Sequence, residues 1–557
     1  MPFKSRQNDI FLPRDITTYQ WLFESPTYSP LHRLPRPEQL GGYHNAITKE
    51  TLTYQQVKDD ATALSTTLVR SYNLQPEDTV SLFSQNTIWY PVAMHATLRV
   101  GGKVSGASPA YNVEEMTYAL QKADAKFLMT HPDSLEVAVE AAQKAGVKKE
   151  NVFLLEGEKA GFKTVKQLIE EGKKLEEVPV WTIPKGKTNG DVCGFLSFSS
   201  GTTGLPKAVM ISHQNVIAQC LQIQLITPAD LTRILAVLPS FHITGLVHAL
   251  HLPVLLNATV VMLPAFTMKG MLDTVVEYQL SELLLVPPIL IRMVRDPIVD
   301  NYDLSFLRRF SSGAAPLSEE IINLLKKKFP QTGFKQGYGM TESCSCITAH
   351  PPSHYDYKYA HSVGTVVAST TVKIMKEDGT EGGVGEPGEI WAKGPQIVMG
   401  YLNNEAATRD TFDADGYLHT GDQGSIDADG VITILDRIKE MIKVKGISVA
   451  PAELEDLLLG HEKVEDVAVL GIQDEWAGEV PKAYVVPQAG QKGDQALGLE
   501  LIKYVRAKKV RYKAVREVEF VEEIPKSASG QILRRVLRDQ SRKGAMGVVV
   551  REERASL

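Results

Sequence analysis

Up to residue 310, the chain alternates between amphipathic stretches of helical length and short apolar runs. Apolar residues recur at helical spacing over residues 52–71, 89–99 and 132–145. Apolar runs of strand length lie between and after them, at residues 79–85, 126–130 and 151–155. The same alternation returns from residue 235 onward. Strands that alternate with helices in this way predict a mainly parallel sheet that is covered on both faces.

The pattern changes after Gly364, where short alternating runs are separated by many glycines. This texture predicts a small antiparallel, barrel-like β unit. A compact tail follows Arg437, with predicted helices at 451–459 and 499–511 and predicted strands at 464–472, 482–486 and 517–521. We therefore predict an α/β protein with a large N-terminal domain over residues 1–436 and a small C-terminal α+β domain over residues 437–557.

One stretch is long and uncharged enough to raise the question of a membrane span. Between Arg233 and Lys269 there is no Asp, Glu, Lys or Arg, and a bilayer needs about 20 apolar residues. Prolines and polar side chains interrupt it, namely Pro239, His242, His248, His251, Pro253, Asn257 and Pro264. Because such groups are costly in lipid, we predict a buried strand, helix and strand, and no transmembrane segment.

The composition narrows the classes of function. The 557 residues carry a net charge of −6 with a pI near 6.2, which disfavours non-specific binding to nucleic acid or anionic membranes. The densest basic run, residues 503–516, is interpreted as the wet face of a helix whose apolar side holds Leu499, Ile502 and Val505 or Val510. The N-terminus lacks the apolar core of a secretory signal, and the four cysteines show no disulfide spacing. An intracellular, reducing compartment is expected.

A loop rich in hydroxyl groups and glycine follows a predicted buried strand at residues 191–198. It reads Ser-Ser-Gly-Thr-Thr-Gly-Leu-Pro-Lys over residues 199–207. Glycine allows close backbone approach, four hydroxyls can donate to phosphate oxygens, and one ammonium follows at a fixed offset. A helix that begins after His213 is expected to bring its N-terminus near the loop. It is not a Walker A sequence, because Lys207 follows proline. Taken alone, the loop fits either phosphate binding or an ordinary connection.

The loop resembles the phosphate-binding signature of the adenylate-forming superfamily, which includes acyl-CoA synthetases, peptide-synthetase adenylation domains and beetle luciferases. Further motifs extend the resemblance over nearly the whole chain: Ser-Gly-Ala-Ala-Pro at 312–316, Gln-Gly-Tyr-Gly-Met-Thr-Glu at 336–342, His-Thr-Gly-Asp at 419–422 and Lys-Val-Lys-Gly at 443–446. The resemblance implies that ATP, with Mg²⁺, activates a carboxylic acid as an acyl-adenylate. Coenzyme A (CoA) then takes the acyl group.

The resemblance also assigns nucleotide-binding roles within these motifs. Tyr338 would stack on the purine, Thr341 would bond the α-phosphate, and Glu342 would hold Mg²⁺ between phosphate oxygens. Asp422 would accept both ribose hydroxyls, since a carboxylate accepts two hydrogen bonds; an ordinary ion pair between Asp422 and Arg437 is the alternative. The implied cofactor-binding residues are Ser199, Ser200, Gly201, Thr202, Thr203, Gly204, Lys207, Ala314, Gln336, Gly337, Tyr338, Thr341, Asp422, Arg437, Lys445, Gly446 and Gln531.

The same resemblance implies which residues bind the acid and CoA. Phe241 and His242 resemble the gate between the acid pocket and the pantetheine tunnel, with a satisfied core histidine as the alternative. Lys439 resembles the hinge about which a mobile C-terminal domain rotates. Residues 443–446 resemble the loop that meets AMP and CoA, and otherwise form a solvated β-hairpin. The implied acid-binding residues are His242, Thr244, Gly313, Gly337 and Gly339, and the implied catalytic residues are His242, Thr341, Glu342, Lys439 and Lys443.

The chain departs from the family pattern in the loop at residues 525–535. The family usually has Lys directly after the glycine of this loop, where it bridges the carboxylate and the α-phosphate during adenylation; here the residue is Gln531. Losing one such contact commonly costs about 3–4 kcal/mol, or about 10²–10³ in rate. Lys526 is a candidate replacement. Besides a CoA ligase, the sequence therefore fits an adenylation-impaired nucleotide-binding pseudoenzyme, or an adenylating enzyme that passes the acyl group to a carrier protein.

The nearest subfamily by resemblance is that of 4-coumarate-CoA ligase-like proteins, from residues 446–455 and 312–317. Thr244, Ala265 and Ser448 differ from the Tyr, Lys and Gln usual there, so aryl, cinnamic-like and medium-chain aliphatic acids are equal candidates. The final Ala-Ser-Leu resembles a peroxisomal tripeptide without its basic middle residue. A cytoplasmic location is expected, with the peroxisome and its import receptor as the alternative.

Overall fold

A computed structural model describes residues 2–34, 36–199, 206–313, 317, 319–474, 476–527 and 530–551. In chain order, its strands are β1 Phe3–Lys4, β2 Gly42–Asn45, β3 Thr51–Thr53, β4 Thr79–Phe83, β5 Lys103–Ala107, β6 Ala125–Thr130, β7 Val152–Leu154, β8 Cys193–Ser199, β9 Lys207–Ser212, β10 Arg233–Ala236, β11 Thr259–Met262, β12 Glu282–Leu285, β13 Arg309–Ser312, β14 Gly333–Tyr338, β15 Thr348–Ala349, β16 Thr365–Val366, β17 Thr371–Met375, β18 Gly388–Lys393, β19 Gly400–Tyr401, β20 Leu418–Ile426, β21 Ile432–Arg437, β22 Ile442–Val444, β23 Ile447–Val449, β24 Val464–Asp474, β25 Gly478–Pro487, β26 Glu517–Phe520 and β27 Val549–Arg551.

The α-helices lie between and after these strands. They are α1 Thr18–Phe23, α2 Pro30–Arg33, α3 Tyr54–Tyr72, α4 Trp89–Arg99, α5 Val113–Lys122, α6 Leu135–Ala145, α7 Val165–Gly172, α8 His213–Leu225, α9 Ile243–Gly245, α10 Leu252–Leu256, α11 Met268–Glu277, α12 Pro287–Arg295, α13 Glu319–Lys328, α14 Glu405–Thr411, α15 Pro451–Leu459, α16 Gln495–Lys508 and α17 Arg534–Arg542. A π-helical segment, Leu246–His251, joins α9 to α10.

The largest sheet has seven strands in the order β19-β9-β8-β5-β4-β6-β7. The five strands from β8 to β7 are parallel. At one edge β9 runs antiparallel to β8, and β19 runs antiparallel to β9. The helix predicted from residue 52 begins instead at Tyr54. Thr53 caps it, accepting a hydrogen bond from the Gln56 backbone, and residues 51–53 pair with β2 as a strand. The predicted parallel, helix-covered sheet is confirmed.

Two further sheets complete the α/β part, in the orders β10-β11-β2-β3 and β12-β13-β14-β15-β16. The uncharged stretch forms β10, the helical run over residues 243–256 and β11, as predicted. Within the described residues, no helix has the length and apolar character that crossing a membrane requires.

The predicted antiparallel unit is present as a five-stranded sheet in the order β1-β17-β18-β20-β21. Its inward side chains include Ile374, Ile390 and Leu418, which are fully buried. The edge strand β1 comes from the start of the chain and pairs with β17. No local sequence pattern predicts this long-range pairing.

Residues after Arg437 form a small α+β unit with its own hydrophobic core. Its sheet has the order β23-β22-β25-β26-β27, with β24 on β25. Helix α15 starts at Pro451 as predicted. The helix predicted at 499–511 spans residues 495–508 instead, because Asp494 caps it and the chain leaves the helix at Lys509. Val505 is buried, whereas Val510 is 54% exposed, so the Val510 alternative for the apolar face was wrong.

Candidate active site

The hydroxyl-rich loop connects two antiparallel strands in sequence. Strands β8 and β9 pair, and Ser199 lies opposite Lys207 at the end of the pair next to the loop. Ser200, Gly201, Thr202, Thr203 and Gly204 are outside the described residues. The Ser199 hydroxyl is buried and has no hydrogen-bond partner in the described structure. A buried hydroxyl without a partner is costly, so this group suits a ligand oxygen.

The helix that follows the hairpin does not start near the loop. Helix α8 begins at His213, where Ser212 and Asn215 form a capping box. The whole of β9 separates this cap from the loop, and six strand residues span about 20 Å. The expectation that this helix N-terminus assists the loop was wrong, because β9 carries the chain away from it.

Tyr401 connects Glu342 to strand β9. Strand β19 pairs with β9, which places Tyr401 opposite Val209. The Tyr401 hydroxyl donates a 2.8 Å hydrogen bond to Glu342 Oε1, and Lys207 Nζ lies 4.5 Å from the centre of the Tyr401 ring. Glu342 is 9% exposed and shares a single 3₁₀ turn with Thr341. Lys207, Thr341 and Glu342 are therefore brought together.

A second cluster joins Tyr338, Asp422 and Arg437. Asp422 of β20 pairs with Arg437 of β21, and Arg437 Nε lies 3.5 Å from Asp422 Oδ1. The Tyr338 hydroxyl donates to Asp422 Oδ2 at 2.7 Å. Burial raises the pKa of Asp422, while Arg437 and Tyr338 lower it. The ion pair between Asp422 and Arg437, which was the alternative, is present. The Asp422 carboxylate still has lone pairs for further donors.

Gln336, Gly337 and Gly339 make close contacts with the backbone of neighbouring segments. The Gln336 amide is buried and donates to the Ala360 carbonyl. A Cβ on Gly339 would lie 1.6 Å from the Ser345 carbonyl oxygen, and one on Gly337 would lie 3.2 Å from that of Thr348. A Cβ on Gly313 would meet nothing within 4 Å. Ala314 lies outside the described residues.

His242 occupies the N-cap of α9, where its Nδ1 accepts from the Thr244 backbone at 3.4 Å. Burial lowers the pKa of His242 to about 4, so the ring is neutral at pH 7. The bond to Thr244 satisfies one ring nitrogen, as the core-histidine alternative expects. This contact uses the Thr244 backbone, so the predicted role of the Thr244 side chain in binding the acid stays a prediction.

The C-terminal unit touches the cluster of Tyr338, Asp422 and Arg437 through Gln531. With its amide oxygen facing Arg437, Gln531 accepts hydrogen bonds from the guanidinium at 2.7 and 3.1 Å. Lys526 is not a replacement cation here, because its Nζ donates to Asp466 at 2.6 Å. Lys439 is exposed in the short 3₁₀ turn that follows Arg437.

The other predicted lysines lie in the hairpin formed by β22 and β23. Lys443 is exposed and donates to Ser448 Oγ at 2.7 Å. Lys445 and Gly446 form the turn, with φ of 49° and 80°. Gln531 thus contacts Arg437, while Lys443 and Lys445 form the solvated hairpin that was the alternative.

Two contributors were missed in the sequence. Tyr401 reaches Glu342 across 59 residues, and no local pattern marks such a contact. The Ser312 hydroxyl is likewise buried without a partner in the described structure, at the end of β13. The sequence signal that could have identified Ser312 is a hydroxyl group at the end of a buried strand, as at Ser199.

Comparisons with known proteins identify the family of the chain. Residues 40–402 match the family described as AMP-binding enzyme. The chain belongs to this family. Residues 453–531 match the AMP-binding enzyme C-terminal domain. The resemblance identified in the sequence is thus confirmed, and with it the assignment of a ligase-type, AMP-binding enzyme.

Curated relatives and solved structures cover almost all of the chain. The chain is 34% identical to 4-coumarate-CoA ligase 1 of Narcissus pseudonarcissus over 96% of both chains. It is 36% identical to 4-coumarate–CoA ligase-like 1 of Arabidopsis thaliana over 89% of this chain and 90% of that one. ATP-bound MatB of Rhodopseudomonas palustris is 25% identical, with a TM-score of 0.80 over 94% and 98% of the chains. The o-succinylbenzoate CoA synthetase of Bacillus subtilis, bound to its acyl-adenylate, is 26% identical, with a TM-score of 0.78 over 92% and 97%.

Proposed function

We propose that this AMP-binding enzyme uses ATP to convert a carboxylic acid into an acyl-adenylate and then transfers the acyl group to the thiol of CoA. One observation carries the proposal. A continuous series of contacts links Lys207 to Tyr401 and Glu342, and Tyr338 to Asp422. Residues 338–342 join the two halves within one short segment. Relatives named as 4-coumarate-CoA ligases support the assignment.

The described residues fit the nucleotide and its cation. The unpartnered Ser199 hydroxyl and the Lys207 ammonium suit phosphate oxygens. Among the described residues, no group of three or more acidic, histidine or cysteine side chains forms a metal cage. A single carboxylate suits Mg²⁺, which substrate phosphates hold in such sites. Glu342 would hold it, and it would neutralise charge on the phosphates.

In the first proposed step, an oxygen of the acid attacks the α-phosphorus of ATP, and the bond to pyrophosphate breaks. Thr341 and Lys207 would orient the phosphates, while Asp422 holds the ribose. Positioning and charge neutralisation account for the rate of such transfers. Gln531 supplies a neutral amide at this step instead of a cation.

In the second proposed step, the CoA thiol gives its proton to solvent and its sulfur bonds to the acyl carbon, while the bond from that carbon to the phosphate oxygen breaks and AMP leaves. We infer a domain boundary at Arg437, with rotation of residues 437–557 about Lys439 between the steps. Rotation would exchange the Gln531 loop for the Lys443–Lys445 hairpin. Neutral His242 would border the path of the thiol.

The proposal is tested by assaying the two steps separately over aryl, cinnamic-like and aliphatic acids. Acid-dependent exchange of pyrophosphate into ATP reports the first step, and CoA-dependent release of AMP reports both. We expect at least one acid to support both reactions. ATP binding with no exchange from any acid would refute the proposal.

A second function is favoured by the contact between Gln531 and Arg437. A neutral amide in this place, with Lys526 held by Asp466, fits a protein that binds a nucleotide or acyl-adenylate and adenylates poorly. This function predicts ATP binding without turnover until Gln531→Lys restores a cation. Rapid turnover by the unmodified protein would exclude it.

The cellular location stays a prediction. The terminal Ala-Ser-Leu belongs to residues 552–557, which lie outside the described residues. We propose the cytoplasm, with peroxisomal import as the alternative. Fluorescent fusions that leave the C-terminus free, with and without the last three residues, separate the two.

A further inference from the structure

Residues 501–516 form a strongly basic segment of the C-terminal unit. The segment has no aspartate or glutamate and holds seven cations, namely Lys503, Arg506, Lys508, Lys509, Arg511, Lys513 and Arg516. It runs from α16 through a 3₁₀ turn at Arg511–Lys513 to the residue before β26. Residues 437–557 as a whole carry more Lys and Arg than Asp and Glu, although the chain has a net charge of −6. Positive charge is therefore concentrated around this turn.

One carboxylate of α15 holds this turn in place. Lys509 Nζ donates to Glu453 Oε1 at 2.8 Å, and Lys513 Nζ donates to Glu453 Oε2 at 2.6 Å. The two lysines stand at either end of the turn, so both ends are fastened to α15. A single carboxylate balances only one of the two positive charges. The turn is therefore fixed in position and keeps a net positive charge.

The residues between the two fastened lysines project into solvent, and two of them are apolar in character. Val510 is 54% exposed and Tyr512 is 36% exposed, and Arg511 between them is exposed as well. Apolar and aromatic side chains beside lysines and arginines are typical of segments that lie at the surface of a bilayer. The turn has this composition at its most exposed point.

Several cations of the segment have no carboxylate to balance them. Lys503, Arg511 and Arg516 are exposed, and none of them forms an ion pair with another residue of the described structure. Lys508 Nζ donates to the Tyr504 hydroxyl at 2.9 Å, and that hydroxyl carries no charge. These four positive charges are therefore available to an anionic partner.

We propose that the turn after α16 binds the surface of a membrane that contains anionic phospholipids, with its cations at the lipid phosphates and with Val510 and Tyr512 in the headgroup region. Each lysine or arginine near such a surface strengthens binding by about fivefold. The net charge of −6 is spread over the whole protein, and salt screens charges that lie more than about 8–10 Å from the lipid. The inference is independent of the proposed function, because binding to lipid requires neither ATP nor an acid.

The basic turn and the Gln531 loop belong to opposite faces of the C-terminal sheet. In β24, Val469 shares a hydrophobic core with Leu501 of α16, whereas the next residue, Leu470, shares one with Leu537 of α17. Successive side chains of a strand point to opposite faces, so α16 and α17 cover opposite faces of the sheet. Helix α17 follows directly on the loop of Gln531. A membrane at the end of α16 would therefore leave that loop uncovered.

Co-sedimentation of the full-length protein with phospholipid vesicles tests the inference. Vesicles of phosphatidylcholine alone are compared with vesicles that also contain phosphatidylserine, at low and at high salt. We expect binding that requires phosphatidylserine and that weakens as the salt concentration rises. In Arg511→Glu the partition coefficient should fall by about tenfold or more, because an anion replaces a cation. Arg511→Lys keeps the charge and should bind like the unmodified protein.

Arg409→Glu is the matched control. Arg409 of α14 is also an exposed arginine, and it lies 3.6 Å from Glu405. Its replacement changes the net charge of the chain by the same amount as Arg511→Glu, but it should leave vesicle binding unchanged. A double variant, Val510→Ser with Tyr512→Ser, keeps the charge and should weaken binding by about fivefold or more. Thermal unfolding checks that each variant is folded.

Four results would overturn the inference. They are no binding to either kind of vesicle, equal binding with and without phosphatidylserine, equal losses in Arg511→Glu and Arg409→Glu, and binding to polyglutamate but not to phosphatidylserine vesicles. The last result would indicate an acidic protein as the partner. A failure of pyrophosphate exchange with every acid would overturn the proposed function and leave this inference standing.

Discussion

Arg437 and Gln531 are joined by two hydrogen bonds: with the Gln531 amide oxygen facing it, the guanidinium donates to that oxygen at 2.7 and 3.1 Å. Arg437 Nε also lies 3.5 Å from Asp422. The proposed ribose acceptor on β20 and the loop that holds Gln531 are thus connected through one guanidinium. The position where the family usually has a lysine holds a neutral amide that is bound to a cation.

This contact predicts the effect of Gln531→Lys. A cation here would reach the carboxylate and the α-phosphate, so pyrophosphate exchange should rise by about 10-fold to 10³-fold. Thioester formation from preformed acyl-adenylate should change little, because the proposed rotation takes the loop out of the site before that step. Gln540→Lys, an exposed position on α17, is the control. A fall in exchange, or an equal gain in Gln540→Lys, would contradict the role given to this position.

The Asp422 cluster predicts weakened nucleotide binding in Asp422→Asn. An amide offers one acceptor oxygen instead of two, and it no longer balances Arg437. The KM for ATP should rise by about tenfold, an effect of about 1.4 kcal/mol. Steady-state kinetics at saturating acid measure it. Asp415→Asn, an exposed residue of the preceding turn, should match the unmodified protein; equal effects of the two changes would argue against ribose binding.

Two glycines make opposite predictions for stability. Gly339→Ala places a Cβ 1.6 Å from the Ser345 carbonyl oxygen, and such overpacking costs about 1–3 kcal/mol or more. Gly313→Ala places its Cβ in open space and should leave the unfolding temperature unchanged. Differential scanning fluorimetry compares the variants. Equal unfolding temperatures for all three proteins would refute the close approach of residues 339 and 345.

Asp456 of α15 predicts a pH-dependent stability. Burial, first, and the neighbouring Glu455 and Asp436 carboxylates together raise its pKa from 3.8 to about 7. Because the folded-state pKa lies above the unfolded one, ionisation opposes folding. The penalty is absent below about pH 4, grows between about pH 4 and 7, and is complete above pH 7.

Asp456→Asn should therefore raise the unfolding temperature more at pH 8 than at pH 5. Glu522→Gln, an exposed acid of the same domain, is the control and should show no such difference. Thermal unfolding at the two pH values measures both variants. A stabilisation by Asp456→Asn that is equal at pH 5 and pH 8 would contradict the raised pKa.

Some helix boundaries that depend on local patterns were predicted correctly from the sequence. The helix at residues 89–99 has the predicted bounds, because its apolar spacing and its packing agree. The proline-led start of α15 was likewise readable from Pro451. Helix α16 was placed too late, since the Asp494 cap was not recognised.

Contacts set by tertiary folding were not readable. The bond between Tyr401 and Glu342 spans 59 residues and depends on β19 pairing with β9. The helix at His213 is near the phosphate loop in sequence, yet β9 separates the two in space. Lys526 is next to the Gln531 loop in sequence, but Asp466 of β24 holds it elsewhere. The motifs indicated which residues take part, and the strand pairing decided where each one lies.

The central claim is that Lys207, Glu342, Asp422 and Arg437 surround one nucleotide at which a carboxylic acid is adenylated. Acid-dependent exchange of pyrophosphate into ATP tests it most directly, in the unmodified protein, in Glu342→Gln and in Asp422→Asn. The account predicts exchange with at least one acid and its loss by about tenfold or more in each variant. Exchange that both variants leave unchanged, or ATP binding without exchange from any acid, would contradict it.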